Sequence, residues 1–246
     1  MLADVQLYLR ATATLVRSWE EYARHATAAA LVRSVGVAIA VFGEEPERAV
    51  YNNALLEGDL EPLERADAID AMEATYAHAS ITSFAAWVHE SDEAMRADLE
   101  RRGYTVAEST RAMGMTLDDV RLPPPEIVVA RADWMEHLRV GELSTRLLSN
   151  GDHAAFHILV GRLDGENVAT AMAFDSGTDC GIYNVGTQEH ARRRGLGTAL
   201  TVAHLHEAVG RGCRTASLQS TKMAERMYAA VGFRDLGRIL EFAPPT

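Results

Sequence analysis

The segment from Tyr183 to Phe233 leaves this chain few ways to fold. Gly181-Ile-Tyr-Asn-Val185 is a short β-type run, and Glu189-His-Ala-Arg192-Arg193-Arg194-Gly195-Leu196-Gly197-Thr198 follows it. A helix-period run then begins, with Leu196, Leu200, Ala203, Leu205, Ala208 and Val209 near one face. The two glycines therefore sit where a strand turns into a helix. The first turn of a helix leaves backbone N–H groups without partners and carries partial positive charge. With no Cβ at Gly195 or Gly197, a ligand can close on that backbone. The result is an anion cradle suited to phosphate, with Arg192, Arg193 and Arg194 adding positive charge at its rim. A plain helix start beside a solvated charge cluster gives the same local pattern, so the cradle alone does not decide the function.

The next stretch narrows the reading. Gly210-Arg-Gly212 stops the helix, Cys213 to Gln219 reads as a strand, and Ser220 to Phe233 is a short helix closed by Gly232. Arg192-x-x-Gly195-x-Gly197, then a strand, then a helix ending Met227-Tyr228-x-x-x-Gly232-Phe233, resembles the GCN5-related N-acetyltransferase (GNAT) family over roughly 121–246. Either motif alone is weak; the ordered pair with the intervening strand is specific.

Two cysteines, Cys180 and Cys213, are too few for a disulfide framework or a metal site and read as reduced structural thiols. No apolar run is long enough to span a membrane, and the start lacks the order of a secretory signal, so a cytoplasmic protein is expected. Residues 1–120 hold 21 acidic against 10 basic side chains, and 121–246 hold 14 of each. Nucleic acid is a poor partner for so acidic a first half; the charge suits a cationic amine, but more often such charge only keeps a protein soluble.

Along the chain, residues 4–32 have helical spacing, and Val35 to Phe42 and Ala49 to Leu56 read as strands forming a hairpin. Glu61 to His78 reads as a helix, Ile81 to Val88 as a strand, Asp92 to Arg102 as a short helix ending at Gly103, and Tyr104 to Leu117 as one or two strands. Leu122-Pro-Pro-Pro125 is a stiff joiner. Beyond it come a strand from Glu126 to Arg131 and a helix from Trp134 to Leu148 capped by Asp133. A loop at Ser149–Asp152 precedes strands at 156–160, 167–174 and up to Thr187. The first half repeats the end of the second: from Ser91 to Gly103 and from Ser220 to Gly232 the spacing is the same, with strand, short helix, glycine and aromatic in one order. Leu99 stands where the second half has Tyr228, and no Arg-x-x-Gly-x-Gly precedes the first copy.

The expected fold is thus α/β: two tandem GNAT-like lobes, each a mixed, mostly antiparallel sheet flanked by helices. The expected domains are a degenerate lobe at 1–120, a proline-rich linker at 121–125 and a catalytic lobe at 126–246. The resemblance implies acetyl-coenzyme A as co-substrate, no metal, and direct transfer to a primary amine of a small molecule or peptide. It places Val185, Gly186 and Thr187 along the pantetheine arm, and the pyrophosphate on the N–H groups from Arg193 through Gly195, Leu196 and Gly197 to Thr198. Thr221 falls where the family often has an asparagine on the arm, a departure that leaves its hydroxyl, or Ser220 beside it, as the donor, and Tyr228 is the implied general acid. His157, Asp175, Asp179, Tyr183 and Glu241 stay open as the base; His204 and His206 read as a surface or core pair, not metal ligands. The alternative function is a non-catalytic acyl-coenzyme A sensor or interaction module. A homodimer is left open.

Overall fold

A computed structural model describes every residue except 1, 2, 27, 44–50, 121–126, 128, 142–153 and 246. The proline joiner and the Ser149–Asp152 loop lie outside the described residues. The first half runs α1 (Asp4–His25), β1 (Ala29–Ser34), β2 (Val37–Phe42), β3 (Asn53–Leu56), α2 (Pro62–His78), β4 (Ala85–His89), α3 (Glu93–Arg101) and β5 (Thr105–Thr116). The second runs β6 (Val129–Arg131), α4 (Trp134–Gly141), β7 (Phe156–Leu163), β8 (Glu166–Ser176), β9 (Asp179–Thr187), α5 (Leu196–Gly210), β10 (Thr215–Ser220), α6 (Glu225–Val231) and β11 (Arg234–Ala243).

The chain forms two compact units. One comprises Met1–Arg17 and Ala112–Leu236, the other Ser18–Arg111 and Gly237–Thr246. These units cut the chain elsewhere than the expected 1–120 and 126–246 division, because α1, β5 and β11 each give part of their length to both.

In the second unit the strand order is β1-β2-β3-β4-β11-β5. β2 pairs antiparallel with β3, Val37 facing Leu56, so the expected hairpin is present. The expected long first helix ends at His25, and Ala29–Ser34 instead pairs with β2 across a tight Val35-Gly36 turn. Gly36, at φ +73°, adopts the left-handed backbone that such a two-residue turn requires. β2 is apolar at every position and buried throughout, as a strand covered on both faces must be. α2 crosses from β3 to the parallel strand β4 and buries Ile69, Met72 and Tyr76 against it. Tyr76 Oη meets its hydrogen-bonding requirement by donating to the Ala40 carbonyl at 3.0 Å.

In the first unit the order is β5-β10-β9-β8-β7-β6. β7, β8 and β9 form an antiparallel meander, and α5 crosses to the parallel strand β10. Asp133 caps α4 as expected, its Oδ1 accepting the Glu136 N–H at 2.8 Å. β5 is one strand, and the last helix begins at Glu225, leaving Ser220 at the end of β10. α5 is buried on more than the one expected stripe: Thr201, Val202 and His204 are also inside, and Val209 is exposed. Leu196 and Leu200 pack on Leu159, Ala169 and Ala171, while Val202, Leu205 and Ala208 pack with Cys180, Ile182 and Ala216.

Each half repeats one plan: antiparallel meander, crossover helix, parallel strand, short helix, last strand. The short helices end alike. Gly103 and Gly232 take φ +87° and +119°, and the following N–H groups, Tyr104 and Phe233, each donate back 3.1 Å to Leu99 and Tyr228. The last strands are exchanged between halves, however. β11 pairs antiparallel with β4, Glu241 facing Trp87, while β5 lies next to β10.

Candidate active site

The site is built where β9 and β10 part. Their parallel register joins Asp179–Gly181 to Thr215–Ser217 and runs no further among the described residues, although β9 continues to Thr187 and β10 to Ser220. Beyond that register the two strands do not pair with each other, and the groove between them is a template for an extended chain. A bulge lies on the other side of β9. The β8–β9 register shifts between Thr170 and Met172, and Asn184 takes φ +51°. Asparagine tolerates this left-handed backbone, which is the one signal in the sequence that could have located the bulge.

At the head of the groove stands the N-terminus of α5. Gly195 occupies its N-cap at φ +80°, and no side chain caps it. The first bond of the helix runs from the Ala199 N–H to the Gly195 carbonyl at 2.9 Å, so the N–H groups of Leu196, Gly197 and Thr198 precede the ladder. A Cβ added at Gly197 would lie 3.8 Å from both Val185 Cγ1 and Met227 Cε. The bare backbone is therefore flanked by β9 on one side and α6 on the other.

The individual side chains divide. Arg193 and Arg194 are exposed at the rim. Arg192 is also exposed, but its Nε donates to the Thr187 carbonyl at 3.1 Å, fastening the end of β9 to the turn. Leu196 points into the core at 2% exposure, so only its backbone can meet a ligand. Ser220 is buried and its hydroxyl donates to the Thr221 carbonyl at 2.9 Å, while Thr221 itself is exposed. Gly186 approaches α4: a Cβ there would sit 3.7 Å from Gly141 Cα.

Tyr228 packs with Ile182 of β9 and Leu218 of β10, its ring edge-on to Phe233 at 5.9 Å. Its hydroxyl makes no hydrogen bond to a described residue, and burial pushes its pKa up to about 12. It therefore holds its proton throughout the physiological range.

The candidate bases scatter. Asp175 is gripped by Arg211 at 2.5 and 2.9 Å, with His157 Nε2 at 3.5 Å, and these contacts hold its carboxyl well below the usual range against the opposing effect of burial. Asp179 accepts the hydroxyls of Thr215 and Ser217 at 2.6 and 2.7 Å. Asp179 opens β9 and Asp175, near the end of β8, pairs with Cys180, so both lie about 20 Å by strand rise from Val185. Glu241 belongs to the other unit. Tyr183 alone lies on the parted stretch of β9, its phenol stacked over Gly181 so closely that no side chain fits there.

Sequence reasoning missed one buried pair. His137 of α4 is fully buried, and its Nδ1 lies 2.7 Å from Thr170 Oγ1, which donates onward to the Leu159 carbonyl at 3.1 Å. That chain makes Nδ1 the donor and the imidazole neutral; burial pushes its pKa down to about 4. Thr170 in turn faces Gly186 across the sheet. His204 is likewise buried, with Nε2 3.2 Å from the Ala171 carbonyl, and so is a core residue. Among the described residues no group of three or more His, Cys, Asp or Glu could hold a metal ion, and no helix is long and apolar enough to cross a membrane.

The equivalent place in the first half is closed. α2 starts with Glu61, Pro62 and Glu64, and Glu64 Oε2 accepts the Glu61 N–H at 3.0 Å. A capping box thus satisfies donors that remain open at α5, and its carboxylates would repel a phosphate. Arg65 further ties α2 to α3 through Asp98 at 2.6 Å.

This architecture, an open mixed sheet whose middle strands part beside an uncapped helix, is that of acetyltransferase-fold structures. A GCN5-related N-acetyltransferase from Kribbella flavida superposes with a TM-score of 0.74 at 19% identity, covering 98% of this chain and 96% of that one. One from Sphaerobacter thermophilus gives 0.59 at 16%, covering 94% and 86%. A tandem GNAT protein from the clavulanic acid biosynthesis pathway gives 0.59 at 16%, covering 88% and 82%. The sequence matches no curated protein. Residues 129–233 match the model of the Acetyltransferase (GNAT) family.

Proposed function

We propose that residues 126–246 form the working lobe of an N-acetyltransferase that moves an acetyl group from acetyl-coenzyme A to a primary amine, with 1–120 a degenerate copy and 121–125 the joiner. The observation that carries this reading is the parted β9–β10 groove running to the uncapped start of α5. A diphosphate fits the N–H groups of Leu196, Gly197 and Thr198, where the helix dipole favours anions. Val185 and Thr187 offer the backbone edge that an extended pantetheine arm would pair with, and Arg192 holds that edge in place. Arg193 and Arg194 supply charge for the remaining phosphate oxygens.

Acetyl-coenzyme A supplies an activated thioester. The chain's part is to hold it, orient the amine and manage protons. The neutral amine nitrogen forms the new C–N bond as the C–S bond breaks and releases its N–H proton to water, with no covalent enzyme intermediate. Tyr228 Oη, protonated and without a hydrogen bond to a described residue, gives its proton to the departing sulfur and recovers one from solvent. The acceptor is a small-molecule or peptide amine.

The test is calorimetric titration of acetyl-coenzyme A into the wild-type protein and a Gly195→Glu, Gly197→Glu double variant. Binding by the wild type and at least a hundredfold loss in the folded variant is expected. Equal binding by both refutes the cradle. Binding without release of free thiol across an amine panel favours the sensor reading instead.

A further inference from the structure

The Ser18–Arg111 and Gly237–Thr246 unit carries a carboxylate that its own fold does not satisfy. Glu241 of β11 lies directly opposite Trp87 of β4. Their neighbours Leu240, Phe242, Ala86 and Val88 pack into the core on the α2 and α3 side, so strand alternation turns Glu241 and Trp87 to the opposite face. There Trp19 of α1 meets Trp87 edge-to-face, ring centroids 5.5 Å apart. Glu241 is partly buried and makes no hydrogen bond or ion pair with a described residue; the ionisable group acting on it is another carboxylate, Glu108 of β5. Trp87 Nε1 is buried and has no acceptor among the described residues. A desolvated carboxylate beside a like charge, next to an indole N–H with nothing to bond, is costly in an empty fold.

The two unsatisfied groups are complementary to one ligand. A cation with an apolar body suits a carboxylate flanked by indoles, and an adjoining oxygen suits the indole N–H. We propose that this face binds an organic ammonium carrying a nearby hydroxyl or carbonyl oxygen: Glu241 takes the ammonium, the Trp87 and Trp19 indoles cover its apolar part, and Trp87 Nε1 donates to the oxygen. A ligand carboxylate is excluded by Glu241 and Glu108. The proposal goes beyond the acyl-transfer reading and does not depend on it, since it concerns only what this unit binds.

The experiment is calorimetry without coenzyme, titrating 2-amino-1-phenylethanol and its neutral analogue 1-phenylethanol into the full chain at pH 8. The amine is expected to bind at least about tenfold more tightly than the alcohol, and Glu241→Gln to weaken it by about tenfold or more. Trp87→Phe, which keeps a ring and removes the N–H, weakens it several-fold. In a nitrogen–proton correlation spectrum, the indole signal that disappears in Trp87→Phe shifts on adding the amine. The Gly195→Glu, Gly197→Glu variant binds the amine as the wild type does, so failure of the coenzyme cradle leaves this result intact. Equal binding of amine and alcohol, no binding of either, or undiminished binding by folded Glu241→Gln overturns the proposal.

Discussion

Replacing Glu241 by glutamine is expected to stabilise the protein, and only at neutral to alkaline pH. Burial first, and the Glu108 charge second, push the Glu241 carboxyl up from 4.5 to about 7. In the unfolded chain it ionises near its ordinary value. Below about 4.5 both states hold the proton and the group contributes nothing to pH dependence. Between there and about 7 the folded state binds more protons than the unfolded, so stability falls as pH rises, and above that the loss is complete. At about 1.4 kcal/mol per pKa unit the full shift corresponds to roughly 3 kcal/mol; solvent screening of the exposed part of the side chain brings it to about 2 kcal/mol. For a chain of this size that is roughly 4–8 °C in melting temperature. The assay is thermal unfolding of the wild type and Glu241→Gln at pH 8 and pH 4.5, comparing the two proteins at each pH. A higher melting temperature for the variant at pH 8 that disappears at pH 4.5 is the expected result. Equal melting at pH 8, or an increment that does not change with pH, refutes the burial reasoning.

Further outcomes follow from other sites. Tyr228→Phe is expected to lower turnover about 10²-fold with coenzyme affinity nearly unchanged, measured as kcat against the calorimetric Kd; unchanged turnover removes Tyr228 from the mechanism. Gly181→Ala forces the Tyr183 phenol off the strand and is expected to cost about 1–3 kcal/mol, read by urea denaturation. Asp175→Asn removes the nearer of the two carboxylates paired with Arg211, leaving Glu207 at 3.6 Å, and is expected to destabilise at neutral pH. Because the Asp175 carboxyl is held below its ordinary value, the wild type loses this contribution as pH falls below the usual carboxylate range, and the two proteins converge in acid.

Much of the site was legible because its parts are local. The glycine pair at a strand-to-helix turn needs only neighbouring residues to produce open N–H groups, and Gly195 and Gly197 stand there in the structure. Glycine after a short helix likewise gave both C-caps, Gly103 and Gly232, and with them the repeat that matches Leu99 to Tyr228. The helical spacing of residues 4–32 runs into the Ala29–Ser34 strand because alanine-rich sequence favours helix until pairing with Val37–Phe42 overrides it. Spacing reveals a residue's place in the chain and not whether a neighbouring carbonyl has already claimed its side chain, as the Thr221 carbonyl does that of Ser220.

By itself the sequence determined the alternation of elements, the cradle and the duplicated plan, all set by backbone preferences within a few residues. Only the tertiary structure decided which last strand completes which sheet, β11 beside β4 and β5 beside β10. The two strands follow equivalent helix-and-glycine signals, so nothing local distinguishes their partners, and the choice rests on long-range packing. The same packing parted β9 from β10, bulged the chain at Asn184 and left Glu241 facing an indole instead of water.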